Sequence, residues 1–574
     1  MPLMGSLYIG ASGLQTSQNA LNTTAHNLSN TDTVGYTRQQ VQQTDKAYIT
    51  ISRSASASSY QQVGLGTTYA RAKQVRDYFL DKTYRKESGR LEFYNTSYKV
   101  MEEVEAQLGE LTGEAFQTNI SDFWTSVQEL VKDPTSSVTQ GLFVQRAAEF
   151  VERASAVYEG LSSYQDNLNR QVKQQVDKIN EYGQKLLTLN DQIRTIESGG
   201  VEQANDYRDA RNLLLDELAS LTDISWAEDL YGNVTVKIEG VDFVKGGQCY
   251  EIGLKVSEAT GFYTPFWPQN AEYKVLENGT RDYDIDGAIV FDLDKEISSD
   301  KNTDIGKLKA MLLARGDHRA DYTDIQKDYD AVSQSVVMNI QAEFDQLIHA
   351  VATKINGILA EAAGQKTGDL MLANGTQLKG VSYVEAEPNG YLKKDDGSPI
   401  QVFSKATTDS YDKVVGADGK TYFVYRPEDM TEQDSLYSIK NLQIDRTLMQ
   451  KPSMLGFKKT DSAADTETVE KLRDAFTEEI YTLNPKVQKR TTFMDYYSDL
   501  VSQVANSGSV YKGIYTNQED TVEYTKSARD QVLGVSSDEE LSNMVKLQNA
   551  YNAASRYINS ISEMLEHIIN TLAV

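Results

Sequence analysis

Met544, Leu547, Tyr551, Ala554, Ile558, Ile561, Leu565, Ile568 and Leu572 follow one another in unbroken 3-4 spacing. That period lays an apolar stripe along one side of an α-helix and asks for a partner to cover it. A helix over residues 541–572 would be roughly 48 Å long at about 1.5 Å per residue. The opposite end of the chain makes the same demand. Leu7, Leu14, Leu21 and Leu28 stand at seven-residue intervals, with Ala11, Gln18 and Ala25 four residues after the first three. Two matched seams at the two ends are most simply satisfied by pairing with each other.

The flanks of these seams are nearly free of charge. Between Met1 and Thr37 there is no Lys or Arg, and the only acid is Asp32. From Leu541 onward only Lys546, Arg556, Glu563 and Glu566 are charged, in a chain that is 24% charged overall. A solvated coiled coil carries Lys and Glu beside its seam. Here Ser, Thr, Asn, Gln, Ala and Gly stand instead, a surface that copies of itself can bury without stranding charge. The alternative is an intramolecular hairpin with a polar outer face. The composition favours self-assembly.

At 574 residues the chain is long enough for several domains. A formal charge of −26 argues against a nucleic-acid partner or an anionic membrane surface. No stretch approaches the apolar run needed to cross a bilayer. The first basic residue is Arg38, so the N-terminus lacks the basic region of a Sec-type signal. The lone Cys249 excludes an internal disulfide framework.

Between the ends, the pattern alternates between helical and strand-like blocks. Asn27-Leu28-Ser29-Asn30-Thr31-Asp32-Thr33-Val34-Gly35-Tyr36-Thr37-Arg38 stops the first helix, since Asx side chains bond nearby backbone and Gly accepts positive φ. Asp32 is expected to close an Asx turn. Tyr48–Ile51 alternates as a short strand and residues 52–59 read as a connector. Gly64-Leu65-Gly66-Thr67 lacks the third glycine of a dinucleotide fingerprint, position 69 being Tyr69. Arg76-Asp77-Tyr78-Phe79-Leu80-Asp81 opens a helix toward Leu108. The basic residues from Arg71 to Arg90 read as a solvated helix face, one that could meet a neighbour's acidic surface. From Phe116 to Leu221 the pattern is helical, broken at Lys132-Asp133-Pro134, with its best seam running from Leu161 to Ile196. Gly199-Gly200 ends that seam and Asp206–Leu218 starts another helix.

Ser225–Ser299 shifts toward period two and reads as a β-rich insertion. Helical pattern returns from about Gly306 to Ala363, through Val332, Val336, Ile340, Phe344, Leu347, Val351, Ile355 and Ile358. A second β-rich stretch covers roughly 368–440, with Asn389-Gly390 and Asp418-Gly419 as hairpin turns and Thr421–Tyr425 as a strand. Helices resume near Thr466. Ser537 and Glu540 form a capping box for the last helix.

Several of these segments carry a resemblance. Ser12-Gly13-Leu14 with the Asn27–Arg38 turn is similar to the amino-terminal signature of flagellar axial proteins, and Asn27, Asn30, Asp32, Gly35 and Tyr36 are the turn residues that match. Gly35-Tyr36-Thr37-Arg38-Gln39 resembles the hook-associated protein 1 family in particular. So do the strand-to-helix passage into Arg76–Asp81, the Asp206–Leu218 block followed by Gly232-Asn233-Val234-Thr235-Val236, Met494–Val501, and Gly534–Met544. The two β insertions carry no such resemblance. The Asp206–Leu218 block sets the chain apart from hook and rod proteins, the nearest alternative.

What the resemblance implies is a structural component of the bacterial flagellum, an adapter between hook and filament. Partners would be further copies of the chain, hook protein, a second junction protein with the filament, and an export chaperone holding the carboxyl-terminal helix. Location would be extracellular, after type III export without a cleavable signal. The fold expected is mainly α with β insertions. A terminal coiled coil (1–60 and 534–574) joins an elongated helical middle domain (61–225, 306–365 and 441–533), and the outer insertions are β-rich (226–305 and 366–440). The assembly seam is Leu7, Leu14, Leu21, Leu28, Met544, Leu547, Tyr551, Ile558, Ile561, Leu565, Ile568 and Leu572. Residues 1–60 and 535–574 are expected to be disordered in a free monomer, since a helix with an uncovered seam is marginal alone.

No catalytic or cofactor site is expected. His26, His318, His349 and His567 are far apart and form no metal-binding motif. Asp282-Tyr283-Asp284-Ile285-Asp286-Gly287 starts like an EF-hand loop, but its twelfth position is Leu293 instead of Glu. A hydrolase housed in the β insertions is the remaining rival, and it would need two carboxylates brought together in space.

Overall fold

The computed structural model describes residues 2–53, 60–108, 116–200, 202–388, 390–459 and 463–572. The chain starts with α1 (Pro2–Ser29) and four strands, β1 (Gln39–Asp45), β2 (Ile49–Arg53), β3 (Tyr60–Val63) and β4 (Thr67–Gln74). Four helices follow, α2 (Tyr78–Leu108), α3 (Phe116–Lys132), α4 (Ser137–Glu197) and α5 (Asn205–Leu221). Then come β5 (Ile224–Glu228), β6 (Val234–Ile238), β7 (Val241–Lys245), β8 (Gln248–Cys249), β9 (Gly253–Val256), β10 (Tyr263–Phe266), β11 (Glu272–Val275) and β12 (Arg281–Asp284). Next are α6 (Lys307–Arg315), α7 (Tyr322–Ser333) and α8 (Val336–Ala362). After β13 (Lys366–Met371), β14 (Gln377–Glu385), β15 (Phe403–Lys405), β16 (Tyr411–Val415), β17 (Thr421–Tyr425) and β18 (Leu442–Ile444), the chain ends in α9 (Arg446–Gln450), α10 (Thr466–Ala475), α11 (Phe493–Leu533) and α12 (Ser537–Leu572). Helix makes up 55% and strand 17%, the mainly α fold with β insertions expected from the sequence.

α4 is the spine. Ser136 caps it, its Oγ accepting from Val138 N at 3.3 Å just past the Lys132-Asp133-Pro134 break. Its inner stripe, including Leu161, Leu168, Val172, Ile179, Tyr182 and Leu186, is buried over the length of the helix. The first half of α4 joins a core with α2, α3, α8 and the start of α11. There Phe116 meets Tyr497 at 4.9 Å and Phe344 at 5.0 Å between ring centroids. The second half packs Val172, Ile179 and Leu186 against Leu215 and Leu218 of α5, Val236 and Phe243 of the β5-β6-β7-β8 sheet, and Leu308 of α6.

The helical pattern of Gly306–Ala363 is divided into three helices. Gly306 and Gly316, at φ +96° and +73°, bracket α6. Ser335 caps α8 through Met338 N at 3.4 Å, so Val332 and Ile340 lie on different helices. α7 itself kinks at Asp328. The stretch expected as a second outer insertion is also divided. Leu392, Ile400, Val402, Phe403 and Tyr437 join the helical core, while β13-β14-β17-β16 encloses a small core of Leu370, Tyr422 and Val424. Gly419 at φ +80° turns β16 into β17. Asn389, the other hairpin residue, lies outside the described residues, as do positions 54–59 of the expected connector.

The basic segment is a solvated face only in part: Arg71, Lys73 and Lys82 are exposed, but other cations of the segment are not. Arg85 is 2% exposed and Arg90 8%. Arg85 Nε donates to Asp216 at 2.6 Å, Arg90 Nε to Asp304 at 2.9 Å, and Arg76 binds Asp81 through two nitrogens at 2.9 and 3.0 Å. Arg529 of α11 closes the network onto Asp81 at 2.8 Å and Asp216 at 2.7 Å. For Arg85, Arg90 and Arg529 sequence alone showed no such partners, because these carboxylates come from more than a hundred residues away.

Candidate assembly interface

α1 and α12 lie side by side and antiparallel. A Cβ at Gly10 would stand 2.7 Å from Ile558, one at Gly13 would stand 3.8 Å from Ala554, and Asn27 reaches Glu540 at the far end. The seam residues sit at this contact without being fully covered. Leu7, Leu14, Leu21, Leu28, Met544, Leu547, Tyr551, Ile558 and Leu565 are half-buried, Ile561 is buried, and Ile568 is 40% exposed. Leu572 ends α12, and its side chain lies outside the described set. Met4, Tyr8, Leu541, Val545, Tyr557, Met564 and Ile569 are exposed as well. One chain therefore leaves a long apolar surface on its paired ends open.

The fully buried face of α1 consists of small residues: Gly10, Ser12, Thr16, Ser17, Ala20, Thr24 and Asn27. Gly10 packs on α12, whereas Ser12 and Thr16 meet Thr67 of the β1–β4 ribbon. Ser12 Oγ accepts from Thr67 N at 3.2 Å, and a Cβ at Gly66, whose φ is +85°, would collide with that hydroxyl. Gly66 thus has a packing role. The β1–β4 pairing also ties residues 67–74 to residues 39–45.

The turn after α1 closes on Asn27. Its Nδ2 donates to Gln39 O at 2.9 Å, and its Oδ1 accepts from Gln39 N at 3.0 Å and from the Tyr36 hydroxyl at 2.8 Å. Asn30 caps α1 through His26 O at 2.9 Å and receives Thr33 Oγ1 at 3.1 Å. Asp32, expected to close an Asx turn, is exposed and makes no hydrogen bond among the described residues; Asn30 does that work instead. Gly35, at φ +81°, passes its backbone 3.5 Å (at the Cβ position) from Leu213. Burial, then the carboxylates of Asp209, Asp206 and Glu540, push the Tyr36 hydroxyl well above the ordinary phenol range.

Glu540 completes the site. It accepts from Arg38 Nε at 2.9 Å and Asn27 Nδ2 at 3.2 Å, and Arg38 also reaches Glu539 at 3.2 Å. The expected capping box is displaced by one residue: Ser536 Oγ accepts from Glu539 N at 3.4 Å, and Glu540 points inward. Arg38 N donates to Leu533 O at 2.9 Å, so one residue joins the end of α11 to the start of α12. Asp209 of α5 accepts from Thr37 N at 3.2 Å and Gln74 Nε2 at 2.8 Å, with burial pushing its carboxyl up to about 6. Arg38, Gln74 and Glu540 were missed as a unit. The only signal in the sequence was that Arg38 is the first basic residue and Glu540 lies in the last acidic cluster.

The groups weighed for chemistry lie apart. His318 sits between Asp317 and Asp324, which push it up to about 10; His349 stacks on Tyr322 at 3.8 Å and meets Glu428 at 2.9 Å. Asp282 pairs with Lys255, and Asp284 accepts from Asp286 N in an acidic turn. Among the described residues, no three His, Cys, Asp or Glu side chains are arranged to hold a metal, and no helix is long and apolar enough to cross a membrane.

Comparison with known proteins bears on both ends and the middle. The family described as flagellar hook-associated protein FlgK helical domain matches residues 101–371. The flagella basal body rod protein family matches residues 7–37, and the carboxyl-terminal family of the flagellar basal body rod FlgEFG proteins matches 531–571. Flagellar hook-associated protein 1 of Bacillus subtilis is 26% identical over 571 residues, covering 98% of this chain and 97% of that protein. Those of Salmonella typhimurium and Escherichia coli are 23% and 22% identical, each covering at least 97% of both chains. In fold, the flagellar hook junction protein FlgK from Burkholderia pseudomallei is similar at a TM-score of 0.50 and 12% identity, over 78% of this chain and 99% of that one. The rod-type matches enclose the two halves of the Asn27–Glu540 contact and the helical-domain match covers the α4 spine, so the chain belongs to the flagellar hook-associated protein 1 family.

Proposed function

We propose that this protein is a structural adapter of the bacterial flagellum, joining hook to filament by axial self-assembly through its paired terminal helices. The observation that carries the reading is the half-exposed seam of α1 and α12, in a chain aligned over 98% of its length with a flagellar hook-associated protein 1. Copies stacked around an axis would cover the seam, and their nearly uncharged flanks could be buried without leaving ions unpaired. Axial growth needs heterologous contacts, one patch meeting a different patch on the next copy. The lower surface would fit hook protein and the upper one a second junction protein with the filament beyond it. An export chaperone would hold the α12 seam before secretion to the extracellular flagellum, in the manner of a helix laid in a groove.

The terminal unit would comprise α1, the β1–β4 region and α12, with the cores around α4 as the middle domain and the small sheets facing outward. We infer no enzymatic activity: the strongly shifted carboxyls at Glu343 and Asp345 are spent on structural hydrogen bonds to Asn484, Tyr322 N and Ile439 N.

Deleting residues 541–574 and imaging the cells tests the reading. Intact hooks without filaments, and filament subunits shed into the medium, are expected. Normal filaments would overturn it.

A further inference from the structure

Two exposed faces of the α2–α11 pair carry opposite charge at the same height. Tyr94 meets Tyr511 and Tyr98 stacks on Tyr515, at 6.4 and 6.3 Å between centroids. Further along, Gln518 Nε2 donates to Glu87 at 2.7 Å and Arg529 binds Asp81. Residues 81–87 of α2 are therefore level with residues 518–529 of α11. Asp81, Tyr84, Glu87, Tyr94 and Tyr98 face α11, while Arg85 and Gly89 face α5. At about 100° per residue, Lys82 and Lys86 then fall on the side away from α11.

Neither lysine has a hydrogen bond or ion pair among the described residues, and Lys82 is exposed. They border a cleft of about 250 Å³ that also holds Tyr78, Trp226 and the single carboxylate Asp223. Tyr78 is 59% exposed and the adjoining Phe79 72%. Across the helix pair, Asp520, Glu523 and Asp530 of α11 are exposed and make no ion pair among the described residues, with Tyr524 78% exposed beside them and Lys526 the one exposed cation of that turn.

We propose that these faces meet between neighbouring copies: Lys82 and Lys86 of one against Asp520 and Glu523 of the next, with Tyr524 entering the cleft beside Tyr78 and Trp226. This rests on the self-assembly proposed above and adds to it which lateral surfaces touch. The two patches differ and lie on different sides of one helix pair, which is what a ring-forming heterologous contact requires. Exposed ion pairs add little affinity singly, but complementary faces suppress wrong registers and speed encounter. The aromatic residues supply the area that the charges lack.

The test uses the full chain with Cys249→Ser as parent, in flagella isolated from cells. Lys82→Cys with Asp520→Cys, oxidised in place, is expected to give a ladder of covalent oligomers that neither single variant gives. Reversal in Lys82→Glu/Lys86→Glu is expected to cut the fraction of filament-bearing cells by roughly tenfold, the effect of about 1.4 kcal/mol, and adding Asp520→Lys/Glu523→Lys should restore it. A parent found at the junction without a ladder, or reversal without effect, overturns the lateral assignment alone. A parent absent from isolated flagella overturns the adapter reading as well.

Discussion

Glu540, 2% exposed in the first turn of α12, accepts a hydrogen bond from Arg38 Nε at 2.9 Å across 502 residues of sequence. A carboxylate removed from water needs such partners to remain charged, and Asn27 supplies another. The contact does something the leucine seam cannot. A heptad stripe fits its partner nearly as well after a slip of seven residues, whereas a buried polar group has one satisfied register.

Removing that group should therefore loosen register more than it lowers helix propensity. Glu540→Ala is expected to cost about 1.5–3 kcal/mol at the paired ends, the range for hydrogen bonds to a charged group, because Arg38 keeps only Glu539 and Asn27 Nδ2 only Gln39 O. Glu540→Gln keeps an acceptor oxygen and should lose less than half as much. Amide exchange over residues 24–39 and 533–545 measures this; equal exchange in both variants and the parent would refute the register role.

The glycines of α1 offer a sharper contrast. Gly10→Ala places a Cβ 2.7 Å from Ile558, a clash that must be relieved by moving α12. Gly13→Ala meets only Ala554 at 3.8 Å, ordinary contact, and adds about 1 kcal/mol of helix propensity. Filament-bearing cells should fall sharply for the first and stay normal for the second. The same outcome for both would mean that the helices do not pack at this spacing in the flagellum.

How much of this was legible beforehand follows from the range of each interaction. The terminal seams, the α4 stripe and the Asp418-Gly419 hairpin are local patterns, and the sequence displays them directly. The small-residue face of α1 was hidden, because Ser12 and Thr16 read as polar until Thr67 of the ribbon hydrogen-bonds to their hydroxyls. Asn27 was visible as a turn residue, but its tie to Glu540 was not. Arg85 and Arg90 read as solvated for the same reason: spacing along one helix says nothing about acids carried by another.

The Arg85–Asp216–Arg529 network yields a further prediction. Asp216 accepts from Arg85 at 2.6 Å and from Arg529 at 2.7 Å, linking α2, α5 and α11 below the terminal helices. Asp216→Asn leaves Arg85, 2% exposed, short of its counter-charge, at a cost of about 3–5 kcal/mol. For a domain of this size that lowers Tm by roughly 2–4 °C per kcal/mol. An unchanged Tm in calorimetry would show that Asp81 alone neutralises both cations.

Acid should stabilise the middle domain. Burial pushes Glu343 from 4.5 up to about 7 and Asp345 from 3.8 up to about 7. Each binds its proton more tightly when folded, so its contribution is complete below the unfolded value and is lost as pH rises through about 7. His318, raised from 6.5 to about 10 by hydrogen bonds to Asp317 and Asp324, loses its contribution as pH rises further, through about 10. Tm should therefore fall between about pH 5 and pH 8. Glu343→Gln, which cannot ionise, should make that fall smaller. A Tm that rises over this interval, or a Gln variant with the parent's slope, would contradict the assignment.

The order of the free ends follows from the same contacts. In one chain the seam of α1 and α12 is only half-covered, and isolated helices with one open side are marginal in water. The polar latch at Asn27, Arg38 and Glu540 anchors one end of the pair, where the β1–β4 ribbon also docks. The other end, near Met4 and Ile569, has exposed apolar side chains. Amide exchange in soluble monomer should therefore grade along the pair, slow beside the latch and fast over residues 2–15 and 555–572. Polymerisation should remove the gradient by covering the seam. Uniformly slow exchange in the monomer would mean that α1 and α12 are stable without neighbours, and the half-covered seam would lose its place as the driving force for assembly.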